Sequence, residues 1–183
     1  AINWLSLAML GAEAGAPQNI INLSGLSADN DFSSPDGLVY SASTGLLWVQ
    51  TDDGAYTDVT NCMMLAAVPG AVGDGAALTL DYGSNGTVST RMGKKPTAST
   101  LKRFLVGPVD QEITGLAETP DGKTIFVNVQ HPGDDTSAAN LGDPSKYTSH
   151  WPGNAGYGAG GASARPRSAT VVVTKNDGGR IGT

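Results

Sequence analysis

Residues 111–134 read QEITGLAETPDGKTIFVNVQHPGD, and this stretch decides the fold class. An apolar run at residues 113–117 is followed by TPDG at 119–122 and then by TIFVNVQ at 124–130. In a tight turn, proline presets one backbone angle, aspartate bonds to nearby backbone and glycine accepts a positive φ. The β-branched and aromatic residues after the turn favour an extended strand. The stretch therefore predicts two antiparallel strands joined by a turn.

A second Pro-Asp-Gly supports the same interpretation earlier in the chain. SPDG at residues 34–37 precedes two apolar runs, LVYSA at 38–42 and LLWVQT at 46–51, which we predict to be paired strands. Repeated strand–turn–strand units with such turns are typical of propeller blades. The repeat predicts an all-β fold, with Asp36 and Asp121 at equivalent turn positions.

The composition narrows the class of protein. The 183 residues include 25 glycines and 10 prolines, which favour many turns and short strands. Eleven basic against 17 acidic residues give a net charge of −6, which argues against binding nucleic acid and suits the binding of hard cations such as calcium. A single cysteine, Cys62, allows no intrachain disulfide. No apolar run reaches membrane-spanning length, so we expect no integral membrane protein.

Further strands and one long loop complete the prediction. We expect strands at residues 61–67, 78–80, 87–91, 101–106 and 169–175. Residues 132–164 are rich in glycine and proline and poor in large aliphatic residues, which predicts an irregular loop. The apolar residues 1–10 begin abruptly, like a segment from within a domain, so we interpret residues 1–183 as a single excised fragment.

Several long segments together carry a resemblance to a known family. FSSPDGLVY…GLLWVQTD, LKRFLVGPVDQEITGLAETPDGKTIFVNVQHPGD, SHWP and RPRSATVVVTKNDGG resemble the carboxy-terminal part of PhoX-type alkaline phosphatases, over residues 32–179. The resemblance implies a six-bladed β-propeller, hydrolysis of phosphomonoesters, and calcium and iron at the propeller axis. It also implies export to the periplasm or out of the cell.

The resemblance also has consequences for the isolated chain. Since one blade takes about 40–50 residues, 183 residues supply two to three blades of a longer parent. The family's amino-terminal metal-binding motifs, including the cysteine that binds iron, are absent from this sequence. We therefore expect the fragment to be inactive alone and to self-associate through open strand edges.

The resemblance implies metal ligands at Glu112, Asp36 and Asp52, and a phosphate-binding, catalytic role for Arg167. Carboxylates at strand ends suit calcium, and the planar fork of arginine suits a phosphate dianion. Each residue also has an ordinary alternative: a solvated charge for Glu112 and Arg167, a turn residue for Asp36. Asp121 is better explained as a turn residue.

Two histidines and a second function stay open at this point. His131 and His150 could bind iron or phosphate, but loop anchoring explains them better. Cys62 lies in NCMML, a context that does not match an iron ligand. No nucleophile elbow or phosphate-binding loop motif occurs. The alternative to the phosphatase is a non-catalytic β-module that binds calcium or a partner through strand-end loops such as residues 132–164.

Overall fold

The computed structural model describes residues 11–52, 59–69, 74–93 and 95–183, and strands dominate this part of the chain. Short 3-10 turns are the only helical segments among these residues. No helix within them is long and apolar enough to cross a lipid bilayer. The strands are β1 (Pro35–Tyr40), β2 (Leu47–Thr51), β3 (Met63–Ala67), β4 (Asp74–Asp81), β5 (Thr87–Gly93), β6 (Leu101–Val106), β7 (Glu112–Glu118), β8 (Thr124–Gln130) and β9 (Ala169–Thr174).

The strands form three antiparallel sheets, as expected for part of a β-propeller. Sheet one has four strands in the order β1-β2-β3-β6, and sheet two has three in the order β7-β8-β9. The third is the hairpin β4-β5. Neighbouring strands in each sheet are mostly consecutive in the sequence, which is the meander connectivity of propeller blades.

Strand β8 shows why the two larger sheets pack together. Ile125, Val127 and Val129 are buried, whereas the residues between them point to the opposite, exposed face. The buried face packs against sheet one in an apolar cluster: Leu46, Trp48, Met64, Ile113, Ile125, Val127, Val129 and Ile181. Burial of each large apolar side chain contributes about 1.5–3 kcal/mol, so this cluster fixes how the sheets meet.

The remaining sheet faces differ in how they are covered. The second face of sheet one packs under Leu26 and Phe32, which come from the strandless segment before β1. The second face of sheet two leaves Phe126 and Val172, which are paired across β8 and β9, 38% and 57% exposed. Sheet one also leaves apolar side chains uncovered on its edge strand β1, where Leu38 is 64% and Tyr40 61% exposed.

The hairpin β4-β5 leaves and re-enters sheet one at a single point. The Val68 N–H donates to the Thr100 carbonyl over 2.7 Å, and Ala67 pairs with Leu101 next to it. Between these points β4 and β5 pack chiefly against each other. The hairpin is therefore an insertion between β3 and β6, two neighbouring strands of sheet one.

The structure confirms the all-β fold class and most predicted strands. Strands 101–106 and 124–130 have the predicted bounds, while the short runs at 78–80 and 87–91 belong to the longer β4 and β5. Residues 132–164 contain 3-10 turns and no strand, as predicted. The expectation for residues 1–10 falls outside the described residues.

The first Pro-Asp-Gly turn was predicted wrongly. Pro35 pairs with Thr51 and Gly37 with Gln50, with a bulge between the two pairs, so these residues begin β1. The partner strand supplies backbone hydrogen bonds here, which removes the need for a turn closed by the aspartate. Asp36 is therefore a strand residue.

The second Pro-Asp-Gly is a turn, as predicted. The Gly122 N–H donates to the Thr119 carbonyl over 2.8 Å, and Gly122 has φ +68°. This turn joins β7 to β8 at the end of sheet two far from Glu112. Asp36 and Asp121 are thus not equivalent, and the internal repeat does not reflect two matching blade positions.

Candidate metal and phosphate site

The site forms where the ends of five strands come together. Strands β1, β7 and β9 begin at this end of the two sheets, and β2 and β8 finish there. Polar residues occupy these ends because the strand interiors belong to the inter-sheet core. The residues at this end are Asp36, Asp52, Glu112, His131 and Arg167.

Glu112 is the buried member of the group. It is 7% exposed and pairs with Gln130, while the next residue, Ile113, is anchored in the core at 1% exposure. The Gln50 Nε2 donates to the Gly115 carbonyl over 3.1 Å and ties β2 to a bulge in β7. These contacts fix the strand that carries Glu112 against sheet one.

The electrostatics show that the three predicted carboxylates lie close to one another. Burial raises the pKa of Glu112 above its ordinary 4.5, and hydrogen bonding to Asp36 together with the charges of Asp52 and Asp36 raises that pKa further. The His131 side chain acts in the opposite direction. Asp36 and Asp52 are themselves exposed. The arrangement concentrates negative charge around one buried carboxylate.

This donor set suits calcium in its chemistry, since calcium takes carboxylate oxygens. Three buried polar atoms on residues next to Glu112 in the sequence or in contact with it have no hydrogen-bond partner: Asp110 Oδ2, Gln111 Oε1 and His131 Nδ1. Such atoms cost free energy unless a polar or charged ligand meets them. However, no group of three or more histidine, cysteine, aspartate or glutamate side chains within the described ranges could hold a metal ion by itself. The described carboxylates therefore do not make up a metal site among themselves.

Cys62 does not join these carboxylates in a group that could hold a metal ion. The Cys62 carbonyl accepts hydrogen bonds from the Gly107 N–H at 3.0 Å and from Gln111 Nε2 at 2.9 Å, and the cysteine is 3% exposed. The part of the chain that the structure describes places no thiolate with the carboxylates as a metal-binding group.

His131 belongs to the site, although the sequence favoured a loop anchor. Its Nε2 lies 3.6 Å from Glu112 Oε2, and its backbone N–H donates to Ser168 Oγ over 2.9 Å. The second contact is the predicted loop anchoring, and the first is additional. The sequence could have indicated the contact between His131 and Glu112. Pairing the residues of the two strands outward from the turn at 119–122 places the end of β8 opposite Glu112.

Arg167 stands at the same end of sheet two but apart from the carboxylates. Its backbone N–H donates to the Trp151 carbonyl over 3.0 Å, and its guanidinium lies against Gly158 in the glycine-rich loop. The side chain is exposed and forms no ion pair with a described carboxylate. A cationic side chain that no carboxylate holds can turn toward an anionic ligand.

Two other residues have local roles. Asp121 Oδ1 accepts hydrogen bonds from Thr119 Oγ1 at 2.6 Å and from the Lys123 N–H at 3.1 Å. The Thr119 hydrogen bond first, and the Lys123 N–H second, lower the pKa of Asp121. His150 Nδ1 lies 2.9 Å from the Ala164 carbonyl, which fixes the loop before β9.

Comparison with known proteins supplies a family and one structural relative. The sequence profile of the family described as alkaline phosphatase PhoX matches residues 2–133. A solved structure, Pseudomonas fluorescens PhoX in complex with vanadate, a transition state analogue, matches with a TM-score of 0.57 and 28% sequence identity. The match covers 95% of this chain and 23% of that one, so the chain spans about a quarter of the relative's length. No curated protein matches the chain.

Proposed function

The chain belongs to the PhoX alkaline phosphatase family, and from this we propose that it forms part of an enzyme that hydrolyses phosphomonoesters. The observation that carries the proposal is the convergence of Glu112, Asp36 and Asp52 at one end of two packed sheets. Crowded carboxylates with one buried member are costly alone and become favourable around a cation.

In this proposal, Glu112, Asp36 and Asp52 contribute oxygen ligands to calcium. The cation supplies positive charge that polarises a phosphoryl oxygen and neutralises developing negative charge. Glu112 is held by its strand and by burial, so its carboxylate keeps a fixed position, while exposed Asp36 and Asp52 can adjust. Arg167 binds the phosphate dianion by turning away from the glycine-rich loop.

We propose that residues 1–183 carry two to three blades of a longer, six-bladed parent and are inactive alone. Two observations support this: the described residues form no group that could hold a metal ion, and the chain covers 23% of the vanadate-bound relative. Further calcium ligands and all iron ligands would come from other blades. The resemblance to the family also supports a periplasmic or secreted location.

The test compares the 183-residue chain with the longer parent in phosphomonoester hydrolysis, with calcium and iron added. We expect activity in the parent and almost none in the chain. In the parent, Glu112→Gln should lower kcat/KM about 100-fold. Glu118→Gln is the matched control, since Glu118 lies at the other end of β7, where Ser41 Oγ donates to it over 2.7 Å.

Two results would decide against this function. A parent saturated with both metals that releases no phosphate from any phosphomonoester would sink the phosphatase assignment. Calcium binding without hydrolysis would instead favour a non-catalytic module that binds calcium or a partner through its strand-end loops.

A further inference from the structure

The sequence contains a single asparagine that is followed by glycine. This pair, Asn85-Gly86, lies in the turn that joins β4 to β5 at the tip of the hairpin. Asn85 is exposed, and its carboxamide forms no hydrogen bond with the described residues. By contrast, Asn22 is 0% exposed, and its Oδ1 accepts a hydrogen bond from the Leu26 N–H over 2.8 Å. The Asn85 side chain is therefore free to move in water.

The turn around this pair is held by few contacts. The Gly86 N–H donates to the Gly83 carbonyl over 3.0 Å, and the Asn85 N–H donates to the Tyr82 carbonyl over 3.2 Å. Both hydrogen bonds lie within one exposed 3-10 turn, and the hairpin packs chiefly against itself. Segments with exposed backbone hydrogen bonds and few buried contacts open locally at low cost in free energy. The Gly86 N–H can thus be released while the sheets stay folded.

We propose that Asn85-Gly86 is a site of spontaneous deamidation. When the turn opens, hydroxide removes the proton from the Gly86 backbone nitrogen, and that nitrogen attacks Asn85 Cγ. The new N–Cγ bond closes a cyclic succinimide; the Cγ–Nδ2 bond breaks, and Nδ2 takes a proton from water to leave as ammonia. Water then opens the ring at either carbonyl and leaves aspartate or isoaspartate at position 85. Glycine permits the attack because it has no side chain to hinder the approach.

The products change the charge and the backbone of the hairpin tip. Either product adds a negative charge near Asp81, whose Oδ1 accepts a hydrogen bond from the Gly83 N–H over 2.8 Å. Isoaspartate also routes the backbone through Cβ, which disturbs the 2.9 Å hydrogen bond from the Tyr82 N–H to the Gly86 carbonyl. The reaction needs only this turn and water, so the proposal does not depend on the proposed function.

The chain offers a matched comparison at Asn154. This residue is also exposed and lies in another 3-10 turn, Gly153–Ala155. The residue that follows it is Ala155, whose Cβ hinders attack by the backbone nitrogen. We therefore expect Asn85 to react first and Asn154 to remain intact over the same period.

The test is incubation of the 183-residue chain in mildly alkaline buffer, followed by chymotrypsin and trypsin digestion and mass spectrometry. Cleavage after Tyr82 and Arg91 releases GSNGTVSTR, in which Asn85 is the only carboxamide. We expect this peptide to convert to two acidic products that chromatography separates, and Asn85→Gln to abolish the conversion. An unreacted peptide, or faster deamidation at Asn154, would overturn the proposal.

A parallel incubation in urea decides whether the reaction occurs in the folded chain. We expect the peptide from the chain kept in native buffer to show both products, since only the turn has to open. Conversion that takes place in urea alone would overturn the proposal, because the turn would then open only when the whole chain unfolds.

Discussion

The position of Glu112 favours cation binding but lowers the stability of the cation-free chain. A buried carboxylate beside Asp36 and Asp52 is a good partner for a cation, but without the cation its charge is unfavourable. Sites of this kind are often maintained at a cost in stability. The cost at Glu112 can be measured through its dependence on pH.

For the cation-free chain we expect Glu112→Gln to flatten the pH dependence of stability above pH 4.5. A folded-state pKa above the ordinary 4.5 means that the folded chain binds this proton more tightly than the unfolded chain. The stability contributed by that proton is therefore complete below pH 4.5 and is lost as pH rises through the folded-state pKa. At neutral pH the variant should be at least as stable as the unsubstituted chain.

Urea unfolding in EDTA at a series of pH values measures this effect. The informative quantity is the difference in free energy of unfolding between the two chains, because titrating groups that do not interact with Glu112 cancel in it. A difference that stays constant across the window, or that favours the unsubstituted chain as pH rises, contradicts the expectation.

Asp121 shows the opposite shift and gives an independent test. The hydrogen bonds from Thr119 Oγ1 and the Lys123 N–H lower its pKa below the ordinary 3.8. Its stabilising contribution is thus present above pH 3.8 and lost as pH falls through the folded-state pKa. We expect Thr119→Val to raise the pKa of Asp121, measured by NMR titration of the side-chain carboxyl carbon. An unchanged pKa would contradict the assignment of Thr119 as the main cause.

The roles of some of these residues could be predicted because they depend only on neighbouring residues in the sequence. Asp121 is set by the four residues of its turn, which can be found in a sequence pattern. Asp36 was identified as a ligand candidate, but its placement in a turn was wrong because pairing of its neighbours with Gln50 and Thr51 decided it. The His131–Glu112 contact depends on the register of β7 against β8 and was missed.

At the scale of strands, β8 is stabilised unequally on its two faces. Val127 is fully buried between the sheets, whereas Val172, one strand away on the other face, is 57% exposed. We expect Val127→Ala to lower the free energy of unfolding by about 2 kcal/mol, from lost burial and the cavity left behind. Val172→Ala is the matched control and should stay within about 0.5 kcal/mol. Equal losses, measured by urea unfolding, would mean that the outer face is also covered.

Alternation explains why β8 could be predicted with its correct bounds. Its buried and exposed residues follow a strict period of two, and its turn has a local signature. The longer β4 and β5 were predicted only in part, because glycine and polar residues dominate their ends and only pairing extends them. The bulge that places Pro35 in β1 could not be predicted, because no local sequence pattern indicates it.

At the scale of the whole molecule, β1 and β6 are the edge strands of sheet one, β7 and β9 are those of sheet two, and each pairs with one described neighbour. Unpaired strand edges tend to pair with other chains. We expect the 183-residue chain to self-associate with rising concentration, as measured by size-exclusion chromatography with light scattering. Val172→Lys, on the exposed face of β9, should reduce this association. A monomer over the whole concentration range would contradict the expectation.

The position of hairpin β4-β5 indicates where members of such a family can differ in length. Because the chain leaves sheet one at Val68 and returns beside it at Thr100, added or removed residues at the hairpin tip leave the pairing of β3 with β6 intact. The strands that carry Glu112 and Asp36 need not move either. The tip at Gly83–Asn85 is accordingly a place where a reporter domain could be inserted without disturbing the carboxylates.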